Sequence, residues 1–162
     1  MKISTDLPDI LVQDLERKWE EFKQSSTTNK VKLPKDRQIL KALQRVFAFS
    51  DFVAENCTRN PSLLSDLICS GDLQRRYSKN DYNQRLKKAL VDVKDEAALI
   101  HILRTYRCRE MTRIAFRDLA GWNNLSETVT ELSSLADVCL EQATSILYSW
   151  LSQKLGTPTA DD

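Results

Sequence analysis

Five arginines fall within one run, Leu103-Arg104-Thr105-Tyr106-Arg107-Cys108-Arg109-Glu110-Met111-Thr112-Arg113-Ile114-Ala115-Phe116-Arg117-Asp118-Leu119-Ala120-Gly121. A guanidinium keeps its charge at any physiological pH and offers five donors in a planar fork. It binds carboxylates, phosphates and carbonyls, and it does not shuttle protons. On a helix, at about 100° per residue, Leu103, Tyr106 and Ile114 lie within about 60° of Leu99, and Glu110, Arg113 and Arg117 fall in the same sector. The apolar stripe is therefore interrupted by one acid and two bases. Arg109, Arg113 and Arg117 recur every fourth residue and form one row, with Glu110 close enough to Arg113 to pair with it. This pattern predicts a partly buried ion-pair network, for which Asp51, Glu131 and Asp137 are the candidate acids from neighbouring helices. Such a network adds little net stability, but removing one partner costs about 3–5 kcal/mol. Arg104 and Arg107 belong to a solvated face. The alternative use of the row is contact with a neighbouring domain. The structural or interdomain candidates are thus Arg104, Arg107, Arg109, Glu110, Arg113, Arg117, Asp118, Asp51 and Asp137.

Other chemistry is sparse. His101 is the single histidine, and it lies on the far side of the helix from the stripe. It has no serine or cysteine at a spacing that would suggest a nucleophile and base. Cys57, Cys69, Cys108 and Cys139 form no C-x-x-C pair, so a zinc site is not expected. Without a secretion signal they read as reduced, buried thiols. In Phe49-Ser50-Asp51-Phe52 the phenylalanines read as core and Asp51 as a structural acceptor. Trp19, Trp122 and Trp150 are too dispersed for a base-stacking platform. Gly71, Gly121 and Gly156 stand far apart, which excludes a glycine-rich phosphate loop. Glu20-Glu21 and Asp161-Asp162 read as surface acids without metal-site spacing. No catalytic, cofactor-binding or metal residue is expected. A net charge of +1, from 24 basic and 23 acidic residues, argues against a dedicated nucleic-acid binder. No apolar stretch is long enough to span a membrane.

The elements that carry these residues are helical throughout. Asp6 and Pro8 mark the start of a first helix, whose stripe is Leu7, Leu11, Leu15, Trp19 and Phe22, and Gln24 to Lys30 reads as a linker. A second helix from near Pro34 carries Ile39, Leu40, Leu43, Val46, Phe47, Val53 and Cys57. Pro61 opens a short helix with Leu63, Leu64, Leu67 and Ile68. Gly71 to Asn80 reads as a flexible polar loop, and Tyr82 to Val91 as another short helix. The fifth helix runs from about Asp95 to Ala120 and stops at Gly121, a left-handed position after the last turn. Asn124 and Glu127 form a capping box for a sixth, long helix, which Gly156 and Pro158 terminate. The expected architecture is an all-α bundle of about six helices, with two long antiparallel helices joined near Gly121. As domain organisation, residues 1–162 form a single helical domain: 1–30 the first helix and linker, 34–91 the middle helices, and 94–158 a long hairpin.

The combination of Leu103-Arg104, Arg107, Arg109, Met111, Arg113-Ile114-Ala115, Arg117-Asp118-Leu119 and Gly121 resembles the bacterial bifunctional glutamine synthetase adenylyltransferase and adenylyl-removing enzymes. Leu132-Ser133-Ser134-Leu135-Ala136-Asp137, the ending Leu155-Gly156-Thr157-Pro158, and Phe49-Ser50-Asp51-Phe52-Val53 followed by Pro61 and Leu64 extend the likeness over about Phe47 to Pro158. Cys108 departs from it, since arginine is common there.

The resemblance implies two similar halves, each a helical region followed by a nucleotidyltransferase domain. One half adds AMP to a tyrosine of glutamine synthetase using ATP, and the other removes it by phosphorolysis. The magnesium-holding signature, Gly-Lys-Leu-Gly-Gly then Ser-Asp-x-Asp, follows the helical region and has no counterpart here, so no catalytic residue carries over. The resemblance implies a noncatalytic cytoplasmic fragment, inactive alone, with magnesium and ATP used only by the longer parent. The adjacent nucleotidyltransferase domain, glutamine synthetase and the PII signalling protein are the implied partners. Met1 and the Phe-Ser-Asp-Phe-Val run favour the first, adenylyl-removing half, although both halves share the arginine helix. A stand-alone helical interaction module is the alternative.

Overall fold

The computed structural model describes residues 9–157. Asp6, Leu7, Pro8, Pro158, Asp161 and Asp162 lie outside the described residues. The fold is an all-α helical bundle, and the described residues form seven helices: α1 Asp9–Thr28, α2 Arg37–Phe49, α3 Asp51–Arg59, α4 Pro61–Cys69, α5 Lys79–Ala89, α6 Glu96–Leu119 and α7 Leu125–Leu155.

Several helix ends depart from the pattern-based expectation: α2 starts at Arg37 rather than near Pro34, and α5 runs Lys79–Ala89 rather than Tyr82 to Val91. The stretch read as a linker from Gln24 is helical to Thr28, because α1 ends in a left-handed turn at Lys30 (φ 56°). There Val31 N–H reaches back to the Ser26 carbonyl at 2.8 Å. The single helix expected from Pro34 to Cys57 is broken at Ser50, which is extended (φ −145°, ψ 105°). Its hydroxyl accepts from Val53 N–H at 3.2 Å, capping α3. That break also separates the two phenylalanines from the core. Val53, Ala54 and Cys57 take the inward side of α3, while Phe49 and Phe52 remain 53% and 46% exposed, so they are not core residues.

The helix ends read from Gly121, Asn124 and Glu127 form as expected. Gly121 sits at φ 73°, with Gly121 N–H bonded to the Asp118 carbonyl and Trp122 N–H to the Arg117 carbonyl. This is the double closure of a left-handed helix stop. Trp122 then folds onto Phe116, with ring centroids 5.5 Å apart. Asn124 and Glu127 exchange reciprocal bonds of 2.9 and 3.1 Å that start α7.

The chain forms two compact units. The first comprises the described residues through Arg76 together with Cys108–Val129. Its core joins Leu15, Phe22, Leu43, Val46, Phe47, Val53, Cys57, Leu64, Leu67, Leu73 and Phe116, with Trp19 and Trp122 packed against it. Phe22 meets Phe47 edge-on at 5.5 Å. The second unit comprises Tyr77–Arg107 and the described residues from Thr130 onward. It buries Tyr77, Tyr82, Leu86, Leu90, Leu99, Tyr106, Leu135 and Val138. There Glu131, 1% exposed, accepts from the Tyr82 hydroxyl at 3.0 Å and from Tyr77 N–H at 3.3 Å.

Candidate functional site: a buried arginine row

Within the first unit, the last turns of α6 carry Arg109, Arg113 and Arg117 toward the segment between α4 and α5. Glu110 and Arg113 are both fully buried, and Arg113 Nε–H donates to Glu110 Oε2 at 2.8 Å. The other Glu110 oxygen takes Arg109, so one carboxylate bridges two guanidiniums. Arg109 also donates to Asp72 at 2.7 Å, and Asp72 is itself buried. Arg113 Nη1 donates to the Arg75 carbonyl at 2.9 Å. Arg117, 4% exposed, donates to the Leu73 carbonyl at 3.4 Å and to Asn123 Oδ1 at 2.6 Å.

Each arginine of the row therefore holds a different point of residues 72–75: a side chain, then two main-chain carbonyls. The segment read as a flexible polar loop is a buried anchor here, with Asp72 and Leu73 each 1% exposed. The segment turns here, with Arg75 N–H bonded to the Asp72 carbonyl at 3.2 Å, and the row meets it out of chain order: Arg109 at Asp72, Arg113 at Arg75 and Arg117 at Leu73.

The acids expected to serve the row lie elsewhere. Asp51 pairs with Lys18 at 2.6 Å. Glu131 serves the tyrosines of the second unit, and Asp137 is an exposed partner of Lys79 at 3.4 Å. The true second acid, Asp72, escaped sequence reasoning because it belongs to no periodic element; its one signal is its place just after the helix-ending Gly71. Asp118 accepts from the Thr128 hydroxyl at 2.8 Å, joining the end of α6 to the start of α7. Arg104, Arg107 and His101 are exposed.

A second charged cluster lines an open cavity of about 460 Å³ between α1 and α3, with Asp14, Arg17, Lys18, Glu21, Asp51 and Glu55 in its wall. Lys18 is almost buried, 2.5 Å from Asp14, and donates to the Phe47 carbonyl at 3.1 Å. Burial pulls its pKa down, but hydrogen bonds to Asp14 and Asp51 outweigh that and hold it above the usual value. Hydrogen bonds from Lys18 and Arg17 hold Asp14 below the usual carboxylate value. Arg17 binds Asp14 and Glu21, and Arg59 binds Glu55, so the cations of this wall are matched by its own acids.

No disulfide joins the four cysteines, and only Cys57 is buried as expected; Cys69 is exposed and Cys108 and Cys139 are half-buried. Burial pushes the Cys57 thiol up to about 12, with Cys108 adding to the effect. Among the described residues no group of three or more His, Cys, Asp and Glu side chains could hold a metal ion. Glu110 and Asp72 are engaged by arginines, and Gly71 and Gly121 are turn-formers at helix ends. These described residues do not fit a magnesium-bound nucleotide. No described helix is long and apolar enough to cross a membrane.

Residues 40–162 match the model of the family described as glutamate-ammonia ligase adenylyltransferase. Several bifunctional glutamine synthetase adenylyltransferase/adenylyl-removing enzymes are similar to this chain. That of Nitrosococcus oceani is 50% identical over 119 residues, which is 74% of this chain and 12% of the relative. That of Thioalkalivibrio sulfidiphilus is 38% identical over 152 residues, 94% of this chain and 15% of the relative. That of Pseudomonas aeruginosa is 37% identical over 125 residues, 77% and 12% respectively. The matched part of this chain thus spans only 12–15% of the length of these curated relatives.

Proposed function

Because this chain belongs to the glutamate-ammonia ligase adenylyltransferase family, we propose that it is a noncatalytic helical subdomain of a longer enzyme. That enzyme regulates glutamine synthetase, the same protein as glutamate–ammonia ligase, by reversible transfer of AMP to a tyrosine. In this reading the 162 residues form one supporting lead-in to a nucleotidyltransferase domain, in the first, adenylyl-removing half of a cytoplasmic protein. ATP and magnesium act in that downstream domain. Glutamine synthetase and a PII signalling protein meet the full-length enzyme rather than the arginine row.

The observation that carries the reading is where the row spends its donors. Arg109, Arg113 and Arg117 grip Asp72, Arg75 and Leu73 of their own chain. Guanidiniums fixed in this way hold a loop in place. They are turned away from an incoming phosphate, and they neither accept nor release a proton. Arg109, Glu110, Arg113 and Arg117 are thus structural, while the exposed Arg104 and Arg107 remain open to an adjoining domain.

The test has two arms. The isolated chain, supplied with glutamine synthetase, ATP, phosphate and magnesium, transfers no AMP in either direction; turnover by a homogeneous preparation overturns the noncatalytic role. The reading frame continues past Asp162 into the glycine-rich and Ser-Asp-x-Asp signature. A stop codon close after Asp162 overturns the lead-in role and favours a stand-alone module.

A further inference from the structure

The last four turns of α7 have no core of their own. Among the described residues, no α7 side chain beyond Val138 is buried. Yet this stretch is not polar. Leu140, Leu147, Leu151 and Leu155 are 68%, 39%, 54% and 75% exposed. At about 100° per residue they fall within about 80° of one another, with Thr144 inside the row and Tyr148 at its edge. Charges flank the stripe, Glu141 on one side and Lys154 on the other, and none interrupts it. A lone helix in water gains nothing from four aligned leucines, and exposed apolar patches of this kind mark contact surfaces.

We propose that this stripe is the seat of the polypeptide that follows α7 in the same chain: an apolar face of the nucleotidyltransferase domain packs along Leu140, Leu147, Leu151 and Leu155. The inference rests on the reading above. Two observations select a tethered occupant over a separate one. The curated relatives are far longer than this chain, which covers 12–15% of them, so most of a family polypeptide lies outside these residues. The stripe also ends on Leu155, at the exit of α7, where a following segment meets it at an effective concentration in the millimolar range and without the entropic cost of association. An uncharged, ladder-like row suits a permanent intramolecular contact, whereas separate partners are usually selected by charge around the contact.

Hydrogen exchange of the segment 140–155 tests this, comparing the 162-residue chain with the full-length polypeptide. The expected result is exchange slower by about tenfold or more in the longer protein. The pair Leu151→Glu and Leu155→Glu removes that protection while leaving the melting temperature of the 162-residue chain unchanged, since both side chains are more than half exposed. Equal exchange in the two proteins overturns the inference, with the lead-in reading intact if the long protein turns over AMP. Protection that appears only on adding glutamine synthetase overturns it in favour of a separate partner. Sedimentation of the 162-residue chain as a dimer that the two glutamates disperse overturns it in favour of a second copy. A reading frame that stops near Asp162 removes the inference together with the reading beneath it.

Discussion

Replacing Arg113 by alanine should be among the most damaging single changes in this chain, and replacing Arg104 among the mildest. Arg113 is fully buried and spends one donor on Glu110 at 2.8 Å and another on the Arg75 carbonyl at 2.9 Å. Removing one partner of a buried ion pair costs about 3–5 kcal/mol, largely because the other charge is stranded. Glu110 keeps Arg109, which places the ionic loss near 3 kcal/mol. The void and the Arg75 carbonyl that loses this donor push the total up by about 1 kcal/mol or more. Arg104 is exposed, and its loss costs about 0.5 kcal/mol at most. At about 2–4 °C per kcal/mol for a chain of this size, Arg113→Ala should melt roughly 10 °C lower, and Arg104→Ala within about 2 °C of the parent.

Circular dichroism and tryptophan fluorescence measure this directly, since Trp19 and Trp122 pack against the core of the unit that holds Arg113. Glu110→Gln completes a double-mutant cycle. The double variant should cost less than the sum of the singles, by about 1–3 kcal/mol, because each single leaves the other group without its match. Equal melting temperatures for Arg113→Ala and Arg104→Ala would refute the assignment of the row to the interior.

Cys57 gives an alkaline signature. Burial raises its folded pKa to about 12 from the ordinary thiol value of 9.0, so its contribution is intact below about pH 9. It is lost as pH rises from there toward 12, with a ceiling of about 4 kcal/mol. Urea midpoints across that range should fall less steeply for Cys57→Ala than for the parent; parallel slopes would contradict the burial effect. Lys30 holds φ 56° at the end of α1, a conformation that glycine adopts without strain, so Lys30→Gly should raise stability by about 1 kcal/mol in urea titration. Gly121→Ala should lower it by a similar amount, since an added Cβ meets nothing within 4 Å and only the φ of 73° opposes it.

What the sequence revealed followed the range of the interactions involved. Gly121, Asn124 and Glu127 mark their helix ends through contacts within a few residues, and those are legible from spacing alone. The inward angle of Arg113 and Arg117 was legible for the same reason: it depends on the helix period and on Leu99, Tyr106 and Ile114 beside them. The break at Ser50 was harder, because the apolar period of Ile39 to Cys57 passes through it without glycine or proline. Its trace is local, a serine followed by an acid, the pattern of a helix start. The partners of the arginines were not legible. Two of the three anchor points in residues 72–75 are main-chain carbonyls, which every residue carries, and Asp72 acquires its role only from a tertiary approach across 37 positions of sequence.

That approach explains why charge stands where leucine would otherwise pack. Buried ion pairs can often be exchanged for apolar residues of similar size without loss, because desolvation cancels most of the attraction. Here the exchange would not be neutral. The segment from Gly71 to Tyr77 forms neither helix nor strand. The Leu73 carbonyl, in a buried hydrogen bond, takes its donor from Arg117, and the Arg75 carbonyl takes one from Arg113. Apolar side chains at these positions would leave such carbonyls without those donors, at about 1–3 kcal/mol for each one fully buried. The row thus supplies donors to two carbonyls of an irregular connection, and Glu110 and Asp72 offset the charge this requires. Under the supporting role proposed above, rigidity at this connection is what the row contributes.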